Sequence, residues 1–570
     1  MTEVKSLSRM RKSLLLFGAL VACRPSTSAV PTTRAIQETR YGVEAPHGAV
    51  ASDAPIASRV GVEIMRAGGN AVDAAVAVGF ALAVVYPEAG NIGGGGFTLI
   101  RMADGRSAAL DYREVAPLAA TRNMFLDDSG RATNKSVVGP LAVGVPGSVA
   151  GLVGQHQRFG VLPLSRVMAP AIRLAEEGFV VDSQFADRLV GYRRLVEPFA
   201  GAALLYPGGQ SLAQGTTLRQ PALARTLRAI ADSGAAAFYA GALSHDIASD
   251  LRGAGSIVTG EDLAKYKAEW REPLRAVYRG HALLTMPPPS SGVTLVEALN
   301  ILEGFAPLGE YGTTRATHLV ASSLQRAFID RNDLLGDPAF VRIPVERLTD
   351  KSYAARLRNS VGTHAVATPA VTATMREGTQ TTHYSVVDAA GNAVATTTTL
   401  NDLYGSGVYL PTVGFFLNDE MDDFAANPGK PNMFGLVQGE QNAVQPGKRM
   451  LSSMVPTIVL DDAGRTMLVV GARGGPRIIS AVLQTIVNVI DHRMTVADAV
   501  TFGRVHHQAL PDTLRFEPGT LAPAVIDSLT SMGYALKEIS SVASLNVILR
   551  TARGWAAYSD PRSGGKPAGF

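Results

Sequence analysis

Gln380-Thr381-Thr382-His383-Tyr384-Ser385-Val386-Val387 leads through 388–392 into Ala393-Val394-Ala395-Thr396-Thr397-Thr398-Thr399-Leu400-Asn401. Two runs rich in β-branched residues flank a turn containing Gly391-Asn392, which predicts a hairpin over 382–400. The threonines alone indicate only a strand, because branched side chains suit the pleat. Upstream, residues 361–380 carry no periodic pattern and read as an exposed segment.

Further hairpins and helices follow in both directions. A second hairpin is predicted from strands at 457–460 and 466–470, around a turn at 461–464. A helix over 476–490 and tail strands at 544–549 and 555–559 close the chain. Toward the N-terminus, apolar residues at helical spacing predict a helix over 54–67, stopped by Gly68-Gly69. Asn70 then caps a second helix, with Asp73 at its third position. That helix is apolar on every side, so it belongs in a core. Residues 97–113 read as a hairpin, and 145–360 as mostly helical. Blocks of helices and antiparallel hairpins, with few βαβ crossovers, define an α+β fold.

The first residues read as an address. Lys5, Arg9, Arg11 and Lys12 precede an apolar run at 14–22 that ends in Leu20-Val21-Ala22-Cys23. A basic start and a short apolar stretch form a secretory signal, since a membrane span needs about 20 residues. Cys23, the single cysteine of the 570 residues, stands where a bacterial lipobox places its lipidated residue. The expectation is a signal over 1–22, a tether over 23–40 and export to the periplasm, with an outer-membrane lipid anchor possible. One cysteine excludes an internal disulfide framework and a cysteine-based zinc site. The formal charge is +4. Removing residues 1–22 takes away four cations and one anion, which leaves +1 and no case for a nucleic-acid partner.

The run TTHYSVVDAAGNAVATTTTLNDLYG (381–405) resembles the signature of the gamma-glutamyltransferases. NAVDAAVAV (70–78), NIGGGGF (91–97), DYREVAP (111–117), NDEMDDF (418–424), KRMLSSMVPTIV (448–459), GARGGPRII (471–479) and FGRVHHQALPD (502–512) resemble further blocks of that family, in its order. The resemblance implies a four-layer αββα sandwich of the N-terminal nucleophile hydrolase type. It also implies self-cleavage between Gln380 and Thr381, giving a large subunit (41–380) and a small one (381–570). Thr381 would then be the nucleophile. A terminal threonine carries its own base, because an α-amine with a pKa near 8 is partly neutral at pH 7.

The resemblance also assigns partners to Thr381. Thr399 would hydrogen-bond it, and Gly474-Gly475 would offer N–H groups to an oxyanion. Arg113 would pair with the substrate α-carboxylate, helped by Ser452 and Ser453. Asn401, Glu420 and Asp423 would take the α-ammonium. The implied substrates are a small γ-glutamyl donor such as glutathione and an acceptor that is water, an amino acid or a peptide. No cofactor or metal is implied. Residues 428–441 resemble a lid loop, with Phe434 where lidded bacterial relatives tend to have tyrosine. The rivals are a β-lactam side-chain acylase, a poly-γ-glutamate hydrolase and an inert surface lipoprotein. Residues 91–96 lack the Gly-Lys-Ser/Thr of a phosphate loop. His506-His507 are too close in sequence to ligate one ion, so a structural use is expected for them. Trp270 and Trp555 read as packing residues.

Overall fold

A computed structural model describes residues 39–371, 373 and 380–570. The predicted signal, Cys23 and nearly all of the tether lie outside the described residues. Among the described residues, no helix is long and apolar enough to cross a membrane.

Local chemistry starts the central helix where the sequence places it. The backbone N–H groups of Val72 and Asp73 donate to the Asn70 side chain, and the Asn70 N–H donates to Asp73 Oδ2. Such a box contributes about 1 kcal/mol. It opens helix Ala71–Val85, in which every residue is buried.

Two seven-stranded antiparallel sheets form the middle of the molecule. The first runs in the order Ala568–Gly569, Ala49–Ser52, Thr382–Val387, Ala393–Thr399, Gly95–Arg101, Ser107–Tyr112 and Glu269–Arg271. The second runs Gly42–Ala45, Gly554–Ser559, Ser544–Thr551, Thr466–Arg473, Thr457–Leu460, His281–Thr285 and Leu274–Tyr278. Helices Pro55–Arg66, Ala71–Val85, Ser148–Phe159 and Leu164–Glu177 share one hydrophobic core on the first sheet. Helices Gly292–Glu303, Thr314–Leu334 and Arg477–Ile490 cover the second. The layers are therefore αββα, as the resemblance implied.

Polar ties cross between the sheets. Ser385 Oγ donates to the Asn546 carbonyl, and Asn546 Nδ2 donates to that of His383, both at 2.9 Å. His383 lies fully buried, with its ring nitrogens 2.8 Å from Thr397 Oγ1 and 3.1 Å from Ser385 Oγ. Burial pushes its pKa down to about 3. The unfolded imidazole titrates near 6.5, so between those values the unfolded chain holds a proton that the folded chain refuses. Stability contributed by His383 is thus complete above about pH 6.5 and falls as pH drops, by about 1.4 kcal/mol per pH unit. Comparing denaturant midpoints at pH 5 and 6, His383→Asn is expected to flatten the pH slope by about one proton. An unaltered slope would show that His383 does not sense acid.

The structure departs from the sequence reading in several short strands, Glu269–Arg271 of the first sheet among them. The hairpin Leu274–Tyr278 with His281–Thr285 lies inside the stretch read as helical, and the strands Gly42–Ala45 and Ala49–Ser52 were not anticipated. These strands are three to five residues long. They owe their conformation to ladders with distant partners, which no local pattern records. The described part of 361–371 is largely exposed, and Thr368 N and Oγ1 tie it to Asp512 and Ala509 at 2.8 Å.

Candidate active site

Thr381 stands immediately before strand Thr382–Val387, where that strand meets Ala393–Thr399 in the register Thr382↔Thr398. Its backbone sits at φ +77°. For a β-branched residue this is a strained conformation, costing about 1–3 kcal/mol. Its hydroxyl is buried and lies 3.1 Å from that of Thr399. The Asn401 N–H donates to Thr399 Oγ1 at 2.8 Å. The glycine run serves this corner by close approach: a side chain at Gly94 would meet the Thr399 carbonyl oxygen at 2.0 Å. Asn91 holds the loop, donating to the Thr399 carbonyl and accepting from the Gly94 N–H, each at 2.9 Å.

The Gly474-Gly475 turn joins strand Thr466–Arg473 to helix Arg477–Ile490, at φ +133° and +58°. It is tethered to the nucleophile strand through Arg473, whose Nε is 3.7 Å from Asp53 Oδ2. Thr382 Oγ1 donates to that same oxygen at 2.8 Å, and Asn546 Nδ2 donates to Oδ1 at 3.0 Å.

Arg113 follows strand Ser107–Tyr112 and is wholly buried. It faces three carboxyls: it is hydrogen-bonded to Glu420 and Asp423 and lies 3.5 Å from Glu114. Its Nε donates to the Met450 carbonyl at 3.3 Å, just before Ser452. Burial works against the guanidinium, but Glu420 and Asp423 outweigh it and hold its pKa above the ordinary arginine value. Burial raises the pKa of Glu420 and Asp423 against the pull of Arg113, and pushes Glu114 up to about 7. Glu420 Oε2 has no hydrogen-bond partner among the described residues. The fork assigned to a substrate carboxylate is thus occupied by the two acids assigned to its ammonium.

The lid residues reach both sides of the site. Phe434 is buried with its ring against Gly475, where an added side chain would meet it at 3.0 Å. Asn401 Nδ2 donates to the Asp419 carbonyl at 3.0 Å and lies 3.8 Å from Met433 Sδ. Phe434 therefore packs on Gly475, and the neighbouring thioether makes the contact with Asn401.

Ser452 and Ser453 lie in the irregular segment before strand Thr457–Leu460. Ser453 Oγ accepts from Arg331 Nη2 at 3.0 Å. His506 and His507 are bound into the core, His506 between Ser480 and Gln508 and His507 beside Asp512. Sequence reading missed Asp53, Glu114, Met433 and Arg331. Only Glu114 and Met433 carried a signal, by adjacency to Arg113 and Phe434.

The sequence profile of the family described as Gamma-glutamyltranspeptidase matches residues 57–570. The glutathione hydrolase proenzyme of Escherichia coli (strain K12) is 46% identical over 519 residues, 89% of each chain. The acylase ACY 1 proenzyme of Pseudomonas sp. (strain SE83) is 39% identical over 526 residues, 89% of this chain and 92% of that protein. The solved cephalosporin acylase from Bacillus halodurans superposes with a TM-score of 0.83 at 28% identity, over 95% of this chain and 99% of its own. On the fold, the ordered motifs and this near full-length match, the chain belongs to the gamma-glutamyltranspeptidase family.

Proposed function

We propose that this protein is a γ-glutamyltransferase and glutathione hydrolase that matures by cutting itself between Gln380 and Thr381. The observation that carries the reading is the buried Arg113–Glu420–Asp423 cluster, joined to the Asn401–Thr399–Thr381 chain of hydrogen bonds through the Asp419 carbonyl beside Glu420. Such a cluster matches an α-amino acid head group, with a cation for the carboxylate and anions for the ammonium. Without substrate, the cation and anions neutralise one another. As the donor binds, its ammonium takes the carboxylates from Arg113 and frees the guanidinium for the α-carboxylate.

The chemistry then proceeds on Thr381. In maturation its hydroxyl attacks the Gln380 carbonyl, the C–N bond breaks to an ester, and water releases the large subunit (41–380) from the small one (381–570). In turnover the freed α-amine takes the hydroxyl proton, and the oxygen attacks the γ-carbonyl of the donor. The N–H groups of the Gly474-Gly475 turn stabilise the oxyanion. The amide C–N bond breaks, the amine fragment leaves with the proton, and water or an acceptor amine resolves the acyl ester. Export under the signal at 1–22, with lipid on Cys23, completes the proposal.

A side-chain acylase reading has support in the acylase relatives, but a donor lacking the α-amino acid head would leave Arg113, Glu420 and Asp423 paired with one another and unused by the substrate. A lid over the site disfavours a polymeric donor. The test is turnover of a chromogenic γ-glutamyl anilide, with and without a dipeptide acceptor, beside a denaturing gel. Two bands and acceptor-stimulated release are expected; one band without turnover would leave the inert lipoprotein.

The lid sets how the ester is shared between water and amine. The resemblance aims a Phe434→Tyr hydroxyl at Asn401, in place of the Met433 contact seen here; such a bond is worth about 1 kcal/mol, enough to lower lid opening about five-fold. The fraction of γ-glutamyl groups passed to a fixed dipeptide concentration is expected to rise. An equal partition in both proteins would mean that ring packing and Met433 already hold the loop.

A further inference from the structure

Arg331 lies on helix Thr314–Leu334, among Asp330, Asn332 and Asp333. The fold buries it to 1% exposure. Its Nε donates to Ser291 Oγ at 2.9 Å and its Nη2 to Ser453 Oγ at 3.0 Å. Its Nη1 has no hydrogen-bond partner among the described residues. No carboxylate pairs with it there, and Asp423 is the one negative group whose field it feels. A buried cation without a counter-charge is costly, and folds retain one where a ligand supplies the opposite charge.

The surrounding hydrogen bonds fix the polarity of the two serines. Ser453 Oγ accepts from Arg331, so its own proton is left to donate. Ser452 Oγ accepts from the Met454 N–H at 3.2 Å, which leaves its proton likewise. Ser291 completes the bracket: it accepts from Arg331 and donates to the Ser452 carbonyl at 2.6 Å. Two hydroxyls set as donors beside an unmatched cation describe a seat for an anion. Even when the donor ammonium draws Glu420 and Asp423 away from Arg113, those two cations face both acids and the donor carboxylate, so one negative charge is left over.

We infer that Arg331 is a positioning residue for the donor α-carboxylate, setting Ser453 as a hydrogen-bond donor and supplying the positive charge that Arg113 shares with its acids. The inference rests on the γ-glutamyl reading above. It predicts an effect tied to one substituent of the donor, which a purely structural arginine would not produce.

The experiment compares L-γ-glutamyl-p-nitroanilide with its decarboxylated counterpart, 4-aminobutyryl-p-nitroanilide, in the wild type, Arg331→Gln and Arg331→Lys. Arg331→Gln is expected to raise KM for the γ-glutamyl donor roughly 30-fold, with kcat changed only a few-fold. The kcat/KM for the decarboxylated donor is expected to stay within about two-fold of wild type. Arg331→Lys keeps the charge and loses the fork, and is expected to fall between. Because a neutral residue here can impair folding, subunit formation and melting temperature are measured beside the kinetics. The decisive comparison is made on whichever variant matures. Equal losses on both donors, or an unchanged KM for the γ-glutamyl donor, would overturn the role of Arg331. A wild type that used both donors equally well would instead overturn the amino acid head-group reading, and this inference with it.

Discussion

Thr381→Ala is expected to run as one uncut chain on a denaturing gel and to lose roughly 10⁴-fold or more in turnover. Both effects come from one oxygen. In the proposed maturation the Thr381 hydroxyl attacks the Gln380 carbonyl, and Thr399 is its hydroxyl partner at 3.1 Å. In the cut chain the same oxygen forms the acyl ester. Alanine keeps the backbone and removes the attacking atom, so neither reaction has a substitute. Thr381→Ser is the companion variant: it retains the oxygen and is expected to mature and turn over, more slowly because an unbranched side chain leaves the hydroxyl less fixed. Two bands from Thr381→Ala would assign maturation to an external protease.

Arg113→Lys is expected to lower kcat/KM by roughly 30- to 1000-fold, mostly through KM. The guanidinium spans Glu420 and Asp423 at once and can then turn to a carboxylate in a two-point contact. An ammonium concentrates its charge at one nitrogen and cannot hold both acids. One of them would then be a buried carboxylate without its cation, and its pKa, already raised by burial, would rise further. The acid limb of the pH profile of kcat/KM should accordingly move to higher pH in Arg113→Lys. A near-normal KM with an unmoved acid limb would show that another cation holds the α-carboxylate.

What the sequence disclosed was chemistry with short-range logic. Asn70 and Asp73 cap a helix through groups three residues apart, and the Thr382–Thr399 hairpin follows from its own turn and pleat. The glycines at 474 and 475 stand at positive φ, which their residue type permits. Chemistry built across the chain was hidden. Asp53 matters because Thr382, Asn546 and Arg473 meet it, and none is near it in sequence. Arg331 drew no reading because its neighbours on the helix are polar, while its own side chain meets Ser291 and Ser453. The closed state of Arg113 could not be read either, since residue types suggest which charges pair but not whether they pair with a ligand or with each other.

The strand order has a bearing on how the finished protein survives stress. In both sheets, strands from 41–380 and strands from 381–570 hydrogen-bond side by side, as where Ala49–Ser52 lies next to Thr382–Val387 and His281–Thr285 next to Thr457–Leu460. Before the cut, one polymer holds every strand, and recovery from denaturation is a first-order event. Cut between Gln380 and Thr381, as proposed above, the protein would be two separate polypeptides that must find each other and thread a shared pair of sheets. Recovery then follows mass action and slows with dilution. A dilute exported enzyme that unfolds in this state would seldom reassemble, so its working lifetime is governed by its unfolding rate and not by an equilibrium. The proposed cleavage would thus turn a renewable fold into a perishable one, whose expiry is set by its unfolding rate.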